Sequence, residues 1–268
     1  MRLAVRAGAE AAEEVLAALL ELAPAGVEQV DGEDEVEYAV YGAPGELPSL
    51  PEGEAEMGGV RVLVSATEVA DDWAKRWRRF HEPVLVRERL WVRPPWALPA
   101  TEPGVIDLAI DPGQAFGTGA HPTTRLSLAL LLGLAARGSF ADLGCGSGVL
   151  AIAAARLGFA PITAVDNEPA AVEATRQNAE ANGVELDHLE RRDLRREAAP
   201  AADVVAANLT RPLLVEVARR LAALPRALIV SGLLEEEADA VAAAFAPLVE
   251  RRRLAQRGWA ALVLDHGS

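Results

Sequence analysis

The chain carries one cysteine, Cys145, and four histidines over its 268 residues. A single thiol closes no intramolecular disulfide, and these scattered residues show no metal-ligand spacing. A disulfide scaffold and a zinc domain are therefore set aside, and no metal is expected. Long hydrophobic runs are also missing. The longest, Leu126 to Ala136, is too short to span a bilayer, and the apolar N-terminal stretch is broken by Glu13, Glu14 and Glu21. The expectation is a soluble, cytoplasmic protein with no membrane contact. Lysine is nearly absent, Lys75 being the only one, and the arginines are outnumbered by acidic residues, leaving a formal net charge of −14. That charge repels polyphosphate and favours cationic partners, so direct nucleic-acid binding is not expected. What remains is a chain with 51% hydrophobic and 25% charged residues, enough to bury a sizeable core.

Two regions differ in rhythm. Residues 3–6, 36–41 and 60–65 read as strands and Ala9 to Leu22 as an amphipathic helix, with the Pro/Gly-rich stretch Gly42 to Gly59 between the later strands. This is a small α+β unit. Asp71 to Phe80 then places Trp73 and Trp77 on one face of a helix among basic residues, and the proline-rich stretch Arg93 to Pro103 resembles a hinge or rigid linker. From Val105 onward strands alternate with helices: 105–110, 140–143, 162–166, 203–207 and 227–231 are the strand candidates. That rhythm predicts a mostly parallel sheet covered on both faces. Two final apolar runs, 248–254 and 259–264, joined by a turn containing Gly258, predict an antiparallel hairpin at its edge.

The strongest chemical signal is Asp142-Leu143-Gly144-Cys145-Gly146-Ser147-Gly148, between a strand and a helix. Glycines let the backbone turn sharply and approach a ligand, and the helix start offers free N–H groups. A dinucleotide loop more often spaces its glycines G-x-G-x-x-G around a pyrophosphate. The tighter G-x-G-x-G suits a nucleoside whose far end is an amino acid. Asp166 closes the next strand, where a carboxylate can accept hydrogen bonds from both ribose hydroxyls. Together these elements point to S-adenosylmethionine. Asp193 is placed either to reach the adenine amino group or to pair with its arginine neighbours. Asn208 stands at the carboxyl end of the fourth strand, where its amide oxygen can accept a proton-bearing nitrogen or orient the cofactor. It is followed by Leu209 and Thr210 rather than by an aromatic, which disfavours a planar base and leaves an aliphatic amine. The segment Asp111 to Thr124 sets Phe116 among glycines, as in a lid over a ligand, with Thr124 able to bond the cofactor's amino-acid end and His121 placed as a proton relay or a structural residue.

These segments, with the Val149 to Ala154 helix start, Gln177 to Val184 and Ala207-Asn208-Leu209, resemble the ribosomal protein L11 methyltransferase family. Trp73, Trp77 and Phe80-His81-Glu82-Pro83 look like that family's linker. The resemblance covers roughly residues 70 to 265. It implies a doubly wound, Rossmann-like α/β methyltransferase sheet with a C-terminal antiparallel hairpin, preceded by a small α+β ferredoxin-like domain. The implied organisation is a substrate-recognition domain at 1–66, a linker helix and connector at 67–104, and a transferase domain at 105–268. The resemblance further implies that Thr124, Gly144, Gly146, Asp166 and Asn208 hold S-adenosylmethionine, with Thr123 an alternative to Thr124 because the span to Gly144 is one residue short. Asn208 is the candidate for orienting the amine. Thr210 departs from the family's small or apolar residue. The implied activity is methylation of lysine side chains and an N-terminal amine on a ribosomal large-subunit protein by a monomer. The competing readings are an N-methyltransferase for another protein or a small molecule, and a non-catalytic S-adenosylmethionine-binding module.

Overall fold

The computed structural model describes residues 2–8, 11–12, 15–16, 18–19, 28–32, 35–41, 50, 53–67, 82–112, 121–135 and 137–267. The expected helix at 71–80 with Trp73 and Trp77, and the expected lid residue Phe116, lie outside them. The chain divides into two compact units, Met1–Arg79 and Phe80–Ser268.

The first unit holds β1 (Arg2–Gly8), β2 (Glu28–Asp31), β3 (Glu35–Tyr41), β4 (Gly53–Met57) and β5 (Val60–Thr67) in one antiparallel sheet of order β2-β3-β1-β5-β4. Strands β1, β3 and β5 fall where the hydrophobic pattern put them. Strands β2 and β4 were not expected: Glu28–Asp31 is mostly polar, and Gly53–Met57 lies inside the stretch read as punctuation. The Gly58-Gly59 turn explains the second. Both residues have positive φ (60° and 80°), the backbone a tight hairpin needs, so β4 folds back on β5. Described residues between 12 and 19 are helical, and Val15 and Leu19 are buried with Leu3, Val5, Tyr38 and Val64 in this unit's core.

The second unit opens with β6 (Val84–Val86), β7 (Leu90–Arg93) and β8 (Ile106–Ala109). Then follow α1 (Pro122–Leu132), β9 (Phe140–Leu143), α2 (Val149–Arg156), β10 (Ile162–Asp166), α3 (Pro169–Ala181), β11 (His188–Arg191) and β12 (Val204–Asn208). The chain ends with α4 (Arg211–Arg220), β13 (Ala227–Leu234), α5 (Ala238–Ala244), β14 (Val249–Gln256) and β15 (Trp259–Asp265). Seven strands form the main sheet, in the order β11-β10-β9-β12-β13-β15-β14, parallel except for the two pairings made by β15. The strands are apolar on both faces because both are covered. Along β12, Val204 and Ala206 enter the core shared with α1 and α2, while Val205 and Ala207 enter the one shared with α4 and α5.

One strand departs from expectation. Residues 105–110 were read as the first strand of the parallel sheet, but β8 pairs in parallel with β7, and β7 antiparallel with β6, in a separate three-stranded sheet. The proline-rich stretch between them is pinned rather than free. Arg93 Nε and Nη2 donate to the Asp107 carboxylate at 2.9 Å each, Arg93 Nη1 donates to the Ala97 carbonyl at 3.0 Å, and Trp91 Nε1 donates to the Leu98 carbonyl at 3.1 Å. A guanidinium engaged on several sides holds the turn without regular secondary structure.

Helix α3 ties this small sheet to the main one. Asn182, just past its end, accepts from Ala109 N (2.9 Å) and donates to Ala109 O (2.7 Å), acting as a neighbouring strand residue would. Asn178, buried, accepts from Asp111 N (2.8 Å) and donates to Ser147 O (2.9 Å), joining the strand end after β8 to the glycine loop. Removing the first clamp strands a backbone donor and acceptor. Asn182→Ala should lower unfolding free energy by about 1 to 3 kcal/mol, read as a fall in the urea midpoint.

Candidate functional site

In a parallel sheet, loops at the carboxyl ends converge, and the second unit has its cleft there. A space of about 460 Å³ is lined by His121 and Thr123 from the start of α1, Gly144 and Gly146 from the loop after β9, Asp166 and Asn167 from the end of β10, and Asn208, Leu209 and Thr210 after β12. Its wall continues through Arg192 to Arg195, Leu213, Gly232 and Trp259. Four of the five residues expected to hold a ligand thus share one cleft. Thr124 does not line it: it is fully buried, and Thr123, the alternative, takes the wall position.

The glycine loop is shaped by sterics. Gly144 has φ +73°, and a Cβ there would meet Leu209 Cδ2 at 2.3 Å. Gly232, which the sequence reading did not single out, has φ +83° at a bulge in β13, and a Cβ would stand 2.4 Å from the Leu209 carbonyl oxygen. Only glycine lets Leu209 lie this close to both neighbours. Asp166 braces the same loop: Oδ2 accepts from Gly146 N and Oδ1 from Glu168 N, each at 3.0 Å. Each carboxylate oxygen retains a lone pair for a hydroxyl from the cleft.

Among the described residues, three buried side-chain oxygens have no hydrogen-bond partner: Thr124 Oγ1, Asp142 Oδ1 and Asn208 Oδ1. Asn208 faces the cleft, and an orphaned buried acceptor there is costly unless a ligand N–H fills it. Bare glycine backbone, the Asp166 carboxylate and this oxygen fit a nucleoside bearing a cationic amino-acid end. Asp193 lines the cleft and also sits 3.6 Å from Arg196 Nε, one of its arginine neighbours.

Two groups that invite catalytic roles are otherwise engaged. Burial pushes the Cys145 thiol well above its usual range, with Thr175 Oγ1 3.2 Å from its sulfur, so it is no thiolate nucleophile. His121 caps α1, its Nδ1 lying 2.8 Å from Thr123 Oγ1 and accepting from Thr123 N at 3.4 Å. This engagement of Nδ1 with the first turn of α1 is the structural role the sequence allowed for His121. Burial and the nearby Arg125 hold its pKa below the ordinary value. Its ring stands against Trp259, with centroids 5.0 Å apart and planes at 70°. Trp259, the first residue of β15, thus brings an aromatic ring to the cleft wall.

Among the described residues, no cluster of His, Cys, Asp and Glu is arranged to hold a metal, and no helix is long and apolar enough to cross a membrane.

With this geometry in place, comparison with known proteins is decisive. The model of the ribosomal protein L11 methyltransferase (PrmA) family matches residues 48–266. The chain belongs to that family. It is 45% identical over 186 residues to the ribosomal protein L11 methyltransferase of Cupriavidus pinatubonensis, covering 67% of this chain and 61% of that one. To the protein of the same name from Chromohalobacter salexigens it is 48% identical over 157 residues, covering 58% and 52%. The chain thus spans less than two thirds of the length of these relatives. In fold it is similar to the crystal structure of ribosomal protein L11 methylase from Lactobacillus delbrueckii subsp. bulgaricus, with a TM-score of 0.63 at 24% identity, covering 69% of this chain and 98% of that one. Family membership agrees with the doubly wound sheet and its terminal hairpin.

Asp142 gives the site a measurable signature. Burial pushes its carboxyl up from 3.8 to about 7, against the bond that Ala151 N donates to Oδ2 at 3.0 Å. Between those two pH values the folded state holds a proton that the unfolded state has released, so this group's contribution falls as pH rises from about 4 to 7 and is flat above. In Asp142→Asn that decline should disappear, as read from denaturant midpoints across the range.

Proposed function

We propose that the chain transfers methyl groups from S-adenosylmethionine to amines of a ribosomal large-subunit protein, ribosomal protein L11, taking lysine side chains and the N-terminal amine. The observation that carries this reading is the orphaned Asn208 oxygen in a cleft whose other end offers Asp166 and bare glycine backbone. Family membership and the relatives' names supply the class of acceptor. S-adenosylmethionine, when bound, supplies a methyl group on a sulfonium.

The protein's own residues do the rest. Asp166 holds the ribose hydroxyls, and the Gly144 to Gly146 backbone admits the nucleoside without a side chain in the way. Thr123 on the wall, rather than the buried Thr124, bonds the amino-acid end. Asn208 Oδ1 accepts an N–H of the incoming amine and so points the nitrogen lone pair along the transfer line. A lysine with a pKa of about 10.4 costs roughly 4 to 5 kcal/mol to deprotonate at neutral pH. The Asn208 amide cannot take that proton. The amine therefore gives it to water before docking, and the protein contributes alignment and desolvation.

In this proposal residues 1–66 recognise the substrate and 67–104 connect them to the transferase domain at 105–268, with the connector from Val84 onward packed on the transferase core through Val86, Leu90 and Val92. The net charge of −14 suits a basic protein partner. Incubating the purified chain with methyl-labelled cofactor and a ribosomal protein mixture should label a single large-subunit protein, identified by mass spectrometry. Label confined to metabolites, or cofactor binding without transfer, would refute it. Asp166→Ala should weaken cofactor binding at least about tenfold in calorimetry, consistent with losing a charge-assisted pair of hydrogen bonds.

A further inference from the structure

Asn208 can hold an acceptor nitrogen only while that nitrogen keeps an N–H. Each transfer forms a C–N bond from the neutral amine's lone pair and breaks the sulfonium's C–S bond, whose electron pair stays on sulfur as a thioether. The ammonium produced then releases a proton to water before the next transfer. Each added methyl replaces one N–H, and the fully methylated product has none. A hydrogen-bond acceptor alone therefore loses its grip as methylation proceeds.

The sheet places a different kind of contact on the far side of Asn208. The order β10-β9-β12-β13-β15 puts Asp166 two strands to one side of Asn208 and Trp259 two strands to the other. At about 4.8 Å per strand, each lies about 10 Å from it along the sheet edge. Because β15 runs antiparallel, its first residue reaches the same edge as the last residues of the parallel strands. With the nucleoside on the Asp166 side, the acceptor comes in past Thr210, Leu213, Gly232 and Trp259. Among the described residues Trp259 is the one indole on the cleft wall, and the His121 ring stands against it.

We propose that Trp259, held by His121, is the wall that receives the methylated ammonium and so determines how many methyls one amine acquires. This rests on the amine-transfer reading above. An aromatic ring attracts a quaternary ammonium without needing any N–H, and methylation leaves that attraction in place while it removes the bond to Asn208. Burial and the charge of Arg125 hold the pKa of the neighbouring imidazole below its ordinary value.

The test compares Trp259→Leu and Trp259→Phe with the parental full chain. Methyl states on ribosomal protein L11 are read by mass spectrometry at equal total label. In parallel, calorimetry with bound S-adenosylhomocysteine measures affinity for one lysine peptide, unmodified and trimethylated. The expected result is a trimethyl-to-monomethyl ratio at least about fivefold lower in Trp259→Leu and largely kept in Trp259→Phe, with preference for the trimethylated peptide falling in the same order. An unchanged ratio in the leucine variant, or an equal loss in both variants, overturns the proposal. The parental titration stands even where the leucine variant fails to fold: a preference for the trimethylated peptide below about twofold also overturns it. Absence of transfer to any protein by the parental chain would refute the amine-transfer reading instead, while the peptide titration still reports on the wall.

Discussion

The cleft depends on how closely Leu209 lies against two glycines. Its side chain covers Gly144, where a Cβ would stand 2.3 Å from it, and its backbone runs against Gly232, where a Cβ would stand 2.4 Å from the carbonyl oxygen. Leu209 N also donates to Ser231 O at 3.0 Å. The chain leaving β12 is therefore clamped between the loop after β9 and the bulge of β13, and Asn208, one residue earlier, has little freedom. An acceptor that orients a nucleophile, the role proposed for Asn208, works only if its own position is set to a fraction of an ångström. Here, steric contact with bare backbone provides that setting, and hydrogen bonds at Asp166 and Asn178 lock the loop on its other side.

This division of labour explains what the sequence could reveal. The glycine loop and Asp166 are local signals: each is a strand end, a turn and a helix start within a few residues, and the structure brings them together. Gly232 and Trp259 were invisible because their roles arise from strand pairing. Gly232 looks like an ordinary glycine until β13 bulges beside β12, and Trp259 reads as the first residue of an apolar run until β15 turns antiparallel and carries it to the carboxyl edge. The missing aromatic after Asn208 was a correct reading of neighbours in sequence, but the wall it concerned is built from neighbours in space.

Asn178 and Asn182 make the same point for the scaffold. Along the sequence they are two polar residues four apart, one in the helix and one at its C-cap, an unremarkable spacing for a solvated face. Their partners lie up to 73 residues away in sequence, at the end of β8 and in the glycine loop. Strand β8 was misassigned for a related reason. Its apolar pattern suits any buried strand, and only pairing with β7, fixed by the Arg93–Asp107 contact, decides which sheet receives it.

The buried polar groups follow one logic. Asp142, Thr124 and Asn208 each leave an oxygen without a partner near the carboxyl ends of the central strands, where a folded protein ordinarily satisfies such atoms. For Asp142, burial raises the carboxyl to about 7, so holding it charged in the empty fold is unfavourable. A cationic ligand group nearby would reverse that balance by favouring the carboxylate. Of the three, only Asn208 lines the cleft, and in the proposed reaction its oxygen offers the incoming amine a hydrogen bond whose desolvation was incurred on folding.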